Sequence, residues 1–248
     1  MRRIPDWIRG LVPLWLADAY RRLRHGRTWF DPRGRSVRIV FTEIYRRNLW
    51  GGHPGELYSG PGSELAVAEP YIRAVTEYIH SHGIRSVVDL GCGDFRVGRE
   101  VVAAAGVRYC GVDVVPELIE RNQEAFGSEL VRFACQDITR DSLPPADLCL
   151  IRQVLQHLSN AQIRAVLQNC SHYSGLIVTE HVLPEDKMIL PNLDIRHGVE
   201  TRVEIGSAVV LSALPFDLPV VEVLCDVPLP DGSIIRTVRL NGSPATPG

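Results

Sequence analysis

Lysine is nearly absent. Of the 27 basic residues in this 248-residue chain, only Lys187 is not an arginine. We read that skew as coding bias rather than mechanism. The six cysteines (Cys92, Cys110, Cys135, Cys149, Cys170 and Cys225) include no C-x-x-C pair and form no even framework. Their pattern argues against zinc and structural disulfides and for a reducing cytoplasm. Most fall within predicted strands or at their ends, where a free thiol behaves as a small hydrophobe. No internal repeat is visible. The N-terminal apolar stretch is too short and too charged to span a bilayer. Arg9, Pro13 and Asp18 interrupt it, which argues against a signal peptide.

What is present fits a soluble globular chain. Apolar residues make up 45% and charged residues 23%, ordinary values for a single large α/β domain or a domain with an appendage. The net charge is only −2, yet residues 1–50 carry +8 and the remainder −10. All four tryptophans (Trp7, Trp15, Trp29 and Trp50) share that first fifth. Such asymmetry suggests a separate role for the N-terminus. Residues 4–24 have helical spacing at Ile8, Leu11, Val12, Trp15, Leu16, Ala19, Tyr20 and Leu23, with Pro13 as a kink. Three readings stay open for this helix. It docks on the core, lies on an anionic membrane surface, or binds an anionic polymer.

Residues 25–63 are rich in glycine and proline, with a short helix expected over Thr42–Leu49. A glycine-rich segment ahead of an α/β core is a candidate lid. Ser59–Ser63 is expected to cap a helix over Glu64–His82. Beyond it, strands near 86–90, 108–112, 130–134, 147–152 and 175–180 alternate with helices near 95–105, 116–126 and 160–170, the rhythm of βαβ units and a parallel sheet. Pro184–Phe216 breaks the rhythm. Two further strands, Val220–Val227 and Ser233–Leu240, flank a Pro-Leu-Pro-Asp-Gly turn. The expected boundary separates an N-terminal arm and lid (1–63) from the α/β domain (64–248).

The stretch Val87–Phe95 reads Val-Val-Asp-Leu-Gly-Cys-Gly-Asp-Phe. A strand that ends in a Gly-x-Gly turn and feeds a helix aims backbone N–H groups at a ligand. By itself such a turn is common in α/β proteins. Asp89 refines it: a carboxylate repels a pyrophosphate and attracts a cationic amino-acid moiety. A second acid, Asp113, ends the next strand roughly 20 residues on, the spacing at which an acid takes ribose hydroxyls. It is also placed to cap the helix opened by Pro116. A third acid, Asp137, follows the next strand beside Ile138, where an ordinary turn role is the alternative.

Together these segments resemble the class I S-adenosylmethionine-dependent methyltransferases, with Val87–Phe95 in the place of motif I and Gln153–Leu158 in that of motif IV. The resemblance covers about residues 64–241. It implies a Rossmann-like, doubly wound seven-stranded sheet, mostly parallel with a C-terminal antiparallel hairpin. It implies S-adenosyl-L-methionine as cofactor, bound through Asp89, Gly91, Cys92, Gly93, Asp113, Val114, Asp137, Ile138 and Arg152. In the resemblance Asp113 holds the ribose hydroxyls, Asp137 accepts from the adenine amine, and the helix from Glu64 covers the methionine end. The chain departs from the pattern at Phe95, where many members have a third glycine. That residue packs either on the ligand or under the following helix.

Methyl transfer from a sulfonium is an in-line displacement, for which a protein supplies alignment and, for a hydroxyl acceptor, a base. Two histidines near strand ends are candidates for that base: His157, alternatively a packed helix-initiation residue, and His181. Gln153, Asn192, Asp194 and Arg196 are candidates to line an acceptor site. The 192–197 stretch reads equally as a solvated loop. No Asn-Pro-Pro-Tyr-type tetrapeptide follows the fourth strand, which counts against adenine-N6 and glutamine methylation. No acidic metal triad is evident, so no metal is expected. The expected function is O-methylation of a small-molecule, sugar or glycan acceptor in the cytoplasm, with peripheral contact at the inner membrane face through residues 4–24. The rivals are a nucleic-acid or peptide/amine N-methyltransferase using the basic arm, with nucleic acid disfavoured, and a non-catalytic cofactor-binding protein.

Overall fold

The computed structural model describes residues 33–241. The proposed amphipathic arm over residues 4–24 lies outside them. Seven strands form one sheet in the order β3-β2-β1-β4-β5-β7-β6. The strands are β1 (Ser86–Leu90), β2 (Arg108–Asp113), β3 (Val131–Cys135), β4 (Leu148–Arg152), β5 (Gly175–Val182), β6 (Val220–Pro228) and β7 (Ile234–Asn241). The first five pair in parallel, while β7 runs antiparallel to both β5 and β6. This is the mostly parallel sheet with an antiparallel end expected from the sequence. The central strands read as near-continuous apolar runs because helices cover both faces. Leu148, Cys149, Leu150 and Ile151 of β4 are all buried.

Among the described residues five α-helices precede or connect the strands: α1 (Val37–Arg46), α2 (Leu65–Ser81), α3 (Arg96–Ala105), α4 (Pro116–Phe126) and α5 (Asn160–Asn169). One face of the sheet packs Tyr71, Val75 and Ile79 of α2 and Val101 of α3. The other packs α1 through Val40, Phe41, Ile44 and Tyr45, together with Leu118 of α4 and Ile163 and Val166 of α5. Pro116 sits at the first turn of α4, where its missing N–H costs nothing. Ser159 and Gln162 close a reciprocal capping box on α5.

Two expected boundaries change. The helix placed at Thr42–Leu49 instead spans Val37–Arg46, because Ser36 accepts from Ile39 N (3.4 Å) and starts it earlier. The apolar stripe Val37, Val40, Phe41, Ile44 and Tyr45 then faces the core, and Leu49 and Trp50 fall beyond the helix. Ser63 does not cap α2. It closes a short 3₁₀ turn by donating to Gly60 O (2.7 Å), and Glu64 occupies the cap position without a side-chain bond.

The strand order reverses between β1 and β4, so their C-terminal ends open a crevice at the topological switch point. Residues 50–63 and α1 close over that crevice.

Candidate active site

The crevice holds a cavity of about 430 Å³, within the usual range for small-molecule sites. Its floor is the β1–α3 turn. Gly91 and Gly93 adopt φ +81° and +56°, a region L side chains rarely enter. Space there is also closed. A Cβ on Gly91 would lie 2.3 Å from Val154 Cγ2, and one on Gly93 would lie 2.4 Å from Ser59 Oγ. Phe95 takes φ +62° without being glycine. Its ring packs against Tyr109, Phe126 and Phe133 at centroid distances of 4.9–5.3 Å. Phe95 therefore lies under the following helix rather than in the cavity, and the aromatic cluster holds a conformation that costs of order 1–3 kcal/mol.

Two charged side chains meet in the cavity with bonding capacity left over. Asp89 Oδ2 accepts from Tyr109 Oη (2.7 Å), while its buried Oδ1 has no partner. Arg152 donates to Gly62 O (2.7 Å) and Gln153 Oε1 (3.1 Å) and lies over the Tyr71 ring (5.1 Å), yet its buried Nε is unpaired. Burial raises the Asp89 carboxyl to about 6, against the opposing pulls of the Tyr109 hydroxyl and Arg152. Orphaned buried groups of this kind are expensive unless a ligand completes them. Their charges match the ammonium and carboxylate of an amino acid.

Asp113 stands across the glycine turn. It accepts from Gly93 N (3.2 Å) and Val115 N (3.1 Å) and lines the cavity, so the helix-start and ligand-facing roles coexist. Burial raises it also to about 6. Cys92, Val114 and Ile138 line the same end. Asp137 is there too, but its Oδ1 accepts from Thr139 N and Oγ1 (3.1 and 2.6 Å), and its Oδ2 pairs with Arg140 Nε (3.2 Å). The neighbouring Gln136 Oε1 is buried and free.

The other end of the cavity is aromatic and apolar. Phe41, Trp50 and His157 form a cluster, with His157 5.1 Å from the Trp50 ring and 6.4 Å from Phe41. Val37, Leu158, Val199, Leu229 and Ile235 add apolar surface, and His181 and Gln153 also line the cavity. Both ring nitrogens of His157 are engaged, Nδ1 with Glu200 O and Nε2 with Gln156 Nε2 (3.2 Å each). Burial lowers His157 to about 4. His181 is also lowered, by burial.

Asn192, Asp194 and Arg196 are not brought to the cavity, and the expectation that their loop lines it is corrected. The Asn192 amide ties residues 210–214 together, accepting from Val210 N and donating to Val210 O (2.8 Å each). Asp194 accepts from Asn160 N (2.7 Å). Both side chains are spent on scaffolding.

Sequence reasoning missed the frame that holds the 153–160 loop. Buried Glu180 accepts from Leu155 N (2.9 Å) and Gln156 N (3.0 Å). From the opposite side, Arg202 donates to Leu155 O, Gln156 O and Leu158 O (3.2, 3.2 and 2.7 Å), to Leu193 O (2.9 Å) and to Asn160 Oδ1 (3.0 Å). Burial raises Glu180 to about 7 and lowers Arg202 to about 10. Also missed was the latch over the turn. Ser59 N donates to Asp94 Oδ2 (3.3 Å), Asp94 N donates to Ser59 Oγ (2.8 Å), and Tyr45 Oη bonds the same Ser59 hydroxyl (2.9 Å). These partners lie far apart in the chain and belong to no local pattern.

Residues 87–173 match the family model described as a methyltransferase domain. No curated protein matches the chain by sequence. Its structure is similar to that of human N-acetylserotonin methyltransferase in complex with SAM (TM-score 0.58, 18% identity, 96% of this chain and 67% of that one). It is similar to N-methyltransferase NodS from Bradyrhizobium japonicum in complex with S-adenosyl-L-homocysteine (TM-score 0.55, 17% identity, 83% and 100%). It is also similar to the 1,6-didemethyltoxoflavin-N1-methyltransferase from Burkholderia thailandensis (TM-score 0.50, 18% identity, 83% and 87%). At these identities the likeness is one of fold. The likeness to a methyltransferase domain thus rests on residues 87–173 by sequence and on the fold by structure.

Proposed function

We propose that this protein methylates an uncharged, largely apolar small molecule at a hydroxyl or amine, with His181 taking the acceptor's proton. The observation that carries this reading is the cavity's division. One end presents the unpaired Asp89 Oδ1 and Arg152 Nε, and the other an aromatic chamber whose lining among the described residues includes no carboxylate, lysine or arginine.

The residues present fit S-adenosylmethionine. Asp89 Oδ1 would accept from its ammonium and Arg152 Nε would donate to its carboxylate. Asp113 would accept from the ribose hydroxyls through lone pairs not used by Gly93 and Val115. Gln136 Oε1, which has no partner, would be the acceptor near the adenine end, beside Asp137 whose oxygens already bond Thr139 and Arg140. The glycine turn leaves the room that a Cβ would fill. When bound, the cofactor supplies an electrophilic methyl group on sulfur. The latch between Ser59 and Asp94 and the aromatic wall from α1 would exclude water and align the acceptor.

His181 is preferred to His157 as base because both His157 nitrogens are bonded and its pKa lies far below neutrality. Against the apolar and aromatic lining, a glycan would find only a few polar side chains, Gln153, Gln156, Thr201 and the two histidines. Among the described residues no helix is long and apolar enough to cross a membrane, and peripheral contact rests on the arm alone.

The test is release of S-adenosylhomocysteine from S-adenosylmethionine across a panel of phenols, aromatic amines and sugars. Turnover confined to the aromatic acceptors, falling roughly 100-fold or more in His181→Ala and surviving in His157→Ala, supports the reading. Turnover on sugars alone, or unaffected by His181→Ala, contradicts it.

The buried carboxyls give the site a pH dependence with a definite sign. An ammonium prefers ionised Asp89, so binding lowers its pKa from the free-site value of about 6. Affinity for S-adenosylhomocysteine then rises with pH through about 6 and levels off above it. Well below that value the loss approaches about tenfold per pH unit for each group that must ionise. Calorimetric titrations at acidic and neutral pH check this, and the Asp89 share of the slope disappears in Asp89→Asn.

A further inference from the structure

His181 is the one candidate base with a spare nitrogen, and the β6–β7 turn decides which nitrogen that is. His181 Nε2 lies 2.6 Å from Ser233 Oγ. Ser233 Oγ in turn bonds Asp231 Oδ1, which also accepts from Ser233 N (2.9 Å). Asp231 is held below the usual carboxylate range by those two bonds, so it is ionised and can only accept. The Ser233 hydroxyl hydrogen must therefore point at Asp231. Its oxygen is left to accept, and His181 Nε2 must be the donor. Nδ1 then carries the lone pair, and it makes no hydrogen bond to any described residue. Ser233 itself is buried, which fixes this geometry, and His181, Leu229 and Ile235 line the cavity there.

We propose that Asp231 and Ser233 are positioning residues that fix His181 as the Nε2–H tautomer, with its bare Nδ1 facing the acceptor end of the cavity. The proposal rests on the methyltransferase reading above and deepens it. In the step it serves, the acceptor oxygen or nitrogen forms a bond to the methyl carbon while the carbon–sulfur bond breaks and its electron pair returns to sulfur. The acceptor's proton passes to His181 Nδ1. The resulting imidazolium is stabilised by the Asp231 carboxylate through the Ser233 hydroxyl, an indirect contact where hydrolytic triads bond the carboxylate to the imidazole directly.

The surroundings of His181 are few. Asp231 and Ser233 come from the β6–β7 turn, and Ile235 is its partner across the antiparallel pair. Lys187 donates to Asp231 O (3.1 Å), which pins the turn. Gln156 Oε1 lies 3.4 Å from His181 N, and Glu180 precedes it in the strand with its carboxylate turned to Leu155 and Gln156. Burial lowers the imidazole and Asp231 opposes that shift. Nothing in Gly175–Val182 or in the turn predicts this chain of bonds locally, because 52 residues separate His181 from Ser233.

The test is nitrogen-15 NMR of the full chain with S-adenosylhomocysteine, His181 being assigned by the signals lost in His181→Gln. We expect neutral His181 to carry its proton on Nε2. Ser233→Ala should give a mixture of tautomers, and Asp231→Asn should lower the imidazole pKa. A proton on Nδ1 in the unaltered protein, or a tautomer that neither substitution moves, overturns the proposal. Failure of the protein to bind S-adenosylhomocysteine would instead overturn the cofactor reading on which the proposal stands.

Discussion

Arg202→Ala lowers stability by roughly 3–5 kcal/mol and Tm by roughly 10 °C, measured by denaturant and thermal unfolding. Arg202 is essentially inaccessible, and its guanidinium bonds four backbone carbonyls and the Asn160 side chain. Removing it takes a donor from each of those carbonyls (Leu155 O keeps Leu158 N), removes the cation facing buried Glu180, and opens a void where a large side chain stood. Arg202→Lys restores the charge but not the planar fork, so it recovers only part of the loss. A change below about 1 kcal/mol for Arg202→Ala would show that the 153–160 loop is held by other means. Because that loop carries His157 and the Gln153 and Val154 walls, the same variant is expected to weaken cofactor binding even where it remains folded.

The second large effect concerns Asp89 and Arg152. Arg152→Gln is expected to weaken S-adenosylhomocysteine binding by about 10- to 100-fold, the usual cost of one charge-assisted bond. Asp89→Asn should cost a similar amount. In the proposed reading the two side chains would bind the ammonium and the carboxylate of one zwitterion, and they also feel each other: Arg152 is among the groups that pull the Asp89 pKa down. Their losses should therefore be non-additive, and a double-mutant cycle reads that coupling. Additive losses would place the two contacts on separate parts of the ligand. Unchanged affinity in both variants would remove the zwitterion from this end of the cavity.

The legible parts of this protein were those with local signals. The run of apolar residues before Asp89, the Gly-x-Gly turn, and the acid-ended strands at Asp113 and Asp137 are written within windows of a few residues. They placed the parallel strands within a residue or two, and the three acids line one cavity. The acceptor end was less legible. Asn192 and Asp194 resemble binding residues because they are polar and lie in an irregular segment, yet the backbone of residues 210–214 and the Asn160 N–H take up their bonds. The groups that shape the chamber come from distant places: Phe41 and Trp50 from the N-terminal segment, Ile235 from β7, and the frame of Glu180 and Arg202 from either side of the 153–160 loop. Only the tertiary fold brings them together. The start of α1 differs from the expected Thr42 for a smaller reason: Ser36 caps the helix six residues ahead of it.

The central claim is that the β1–β4 crevice is an S-adenosylmethionine site. Calorimetric titration with S-adenosylhomocysteine tests it most directly, with NAD as the control ligand and Asp113→Ala alongside. The account predicts micromolar binding of S-adenosylhomocysteine by the unaltered protein, no binding of NAD, and loss of binding in Asp113→Ala. Binding of NAD in preference, or S-adenosylhomocysteine affinity indifferent to Asp113, would contradict it.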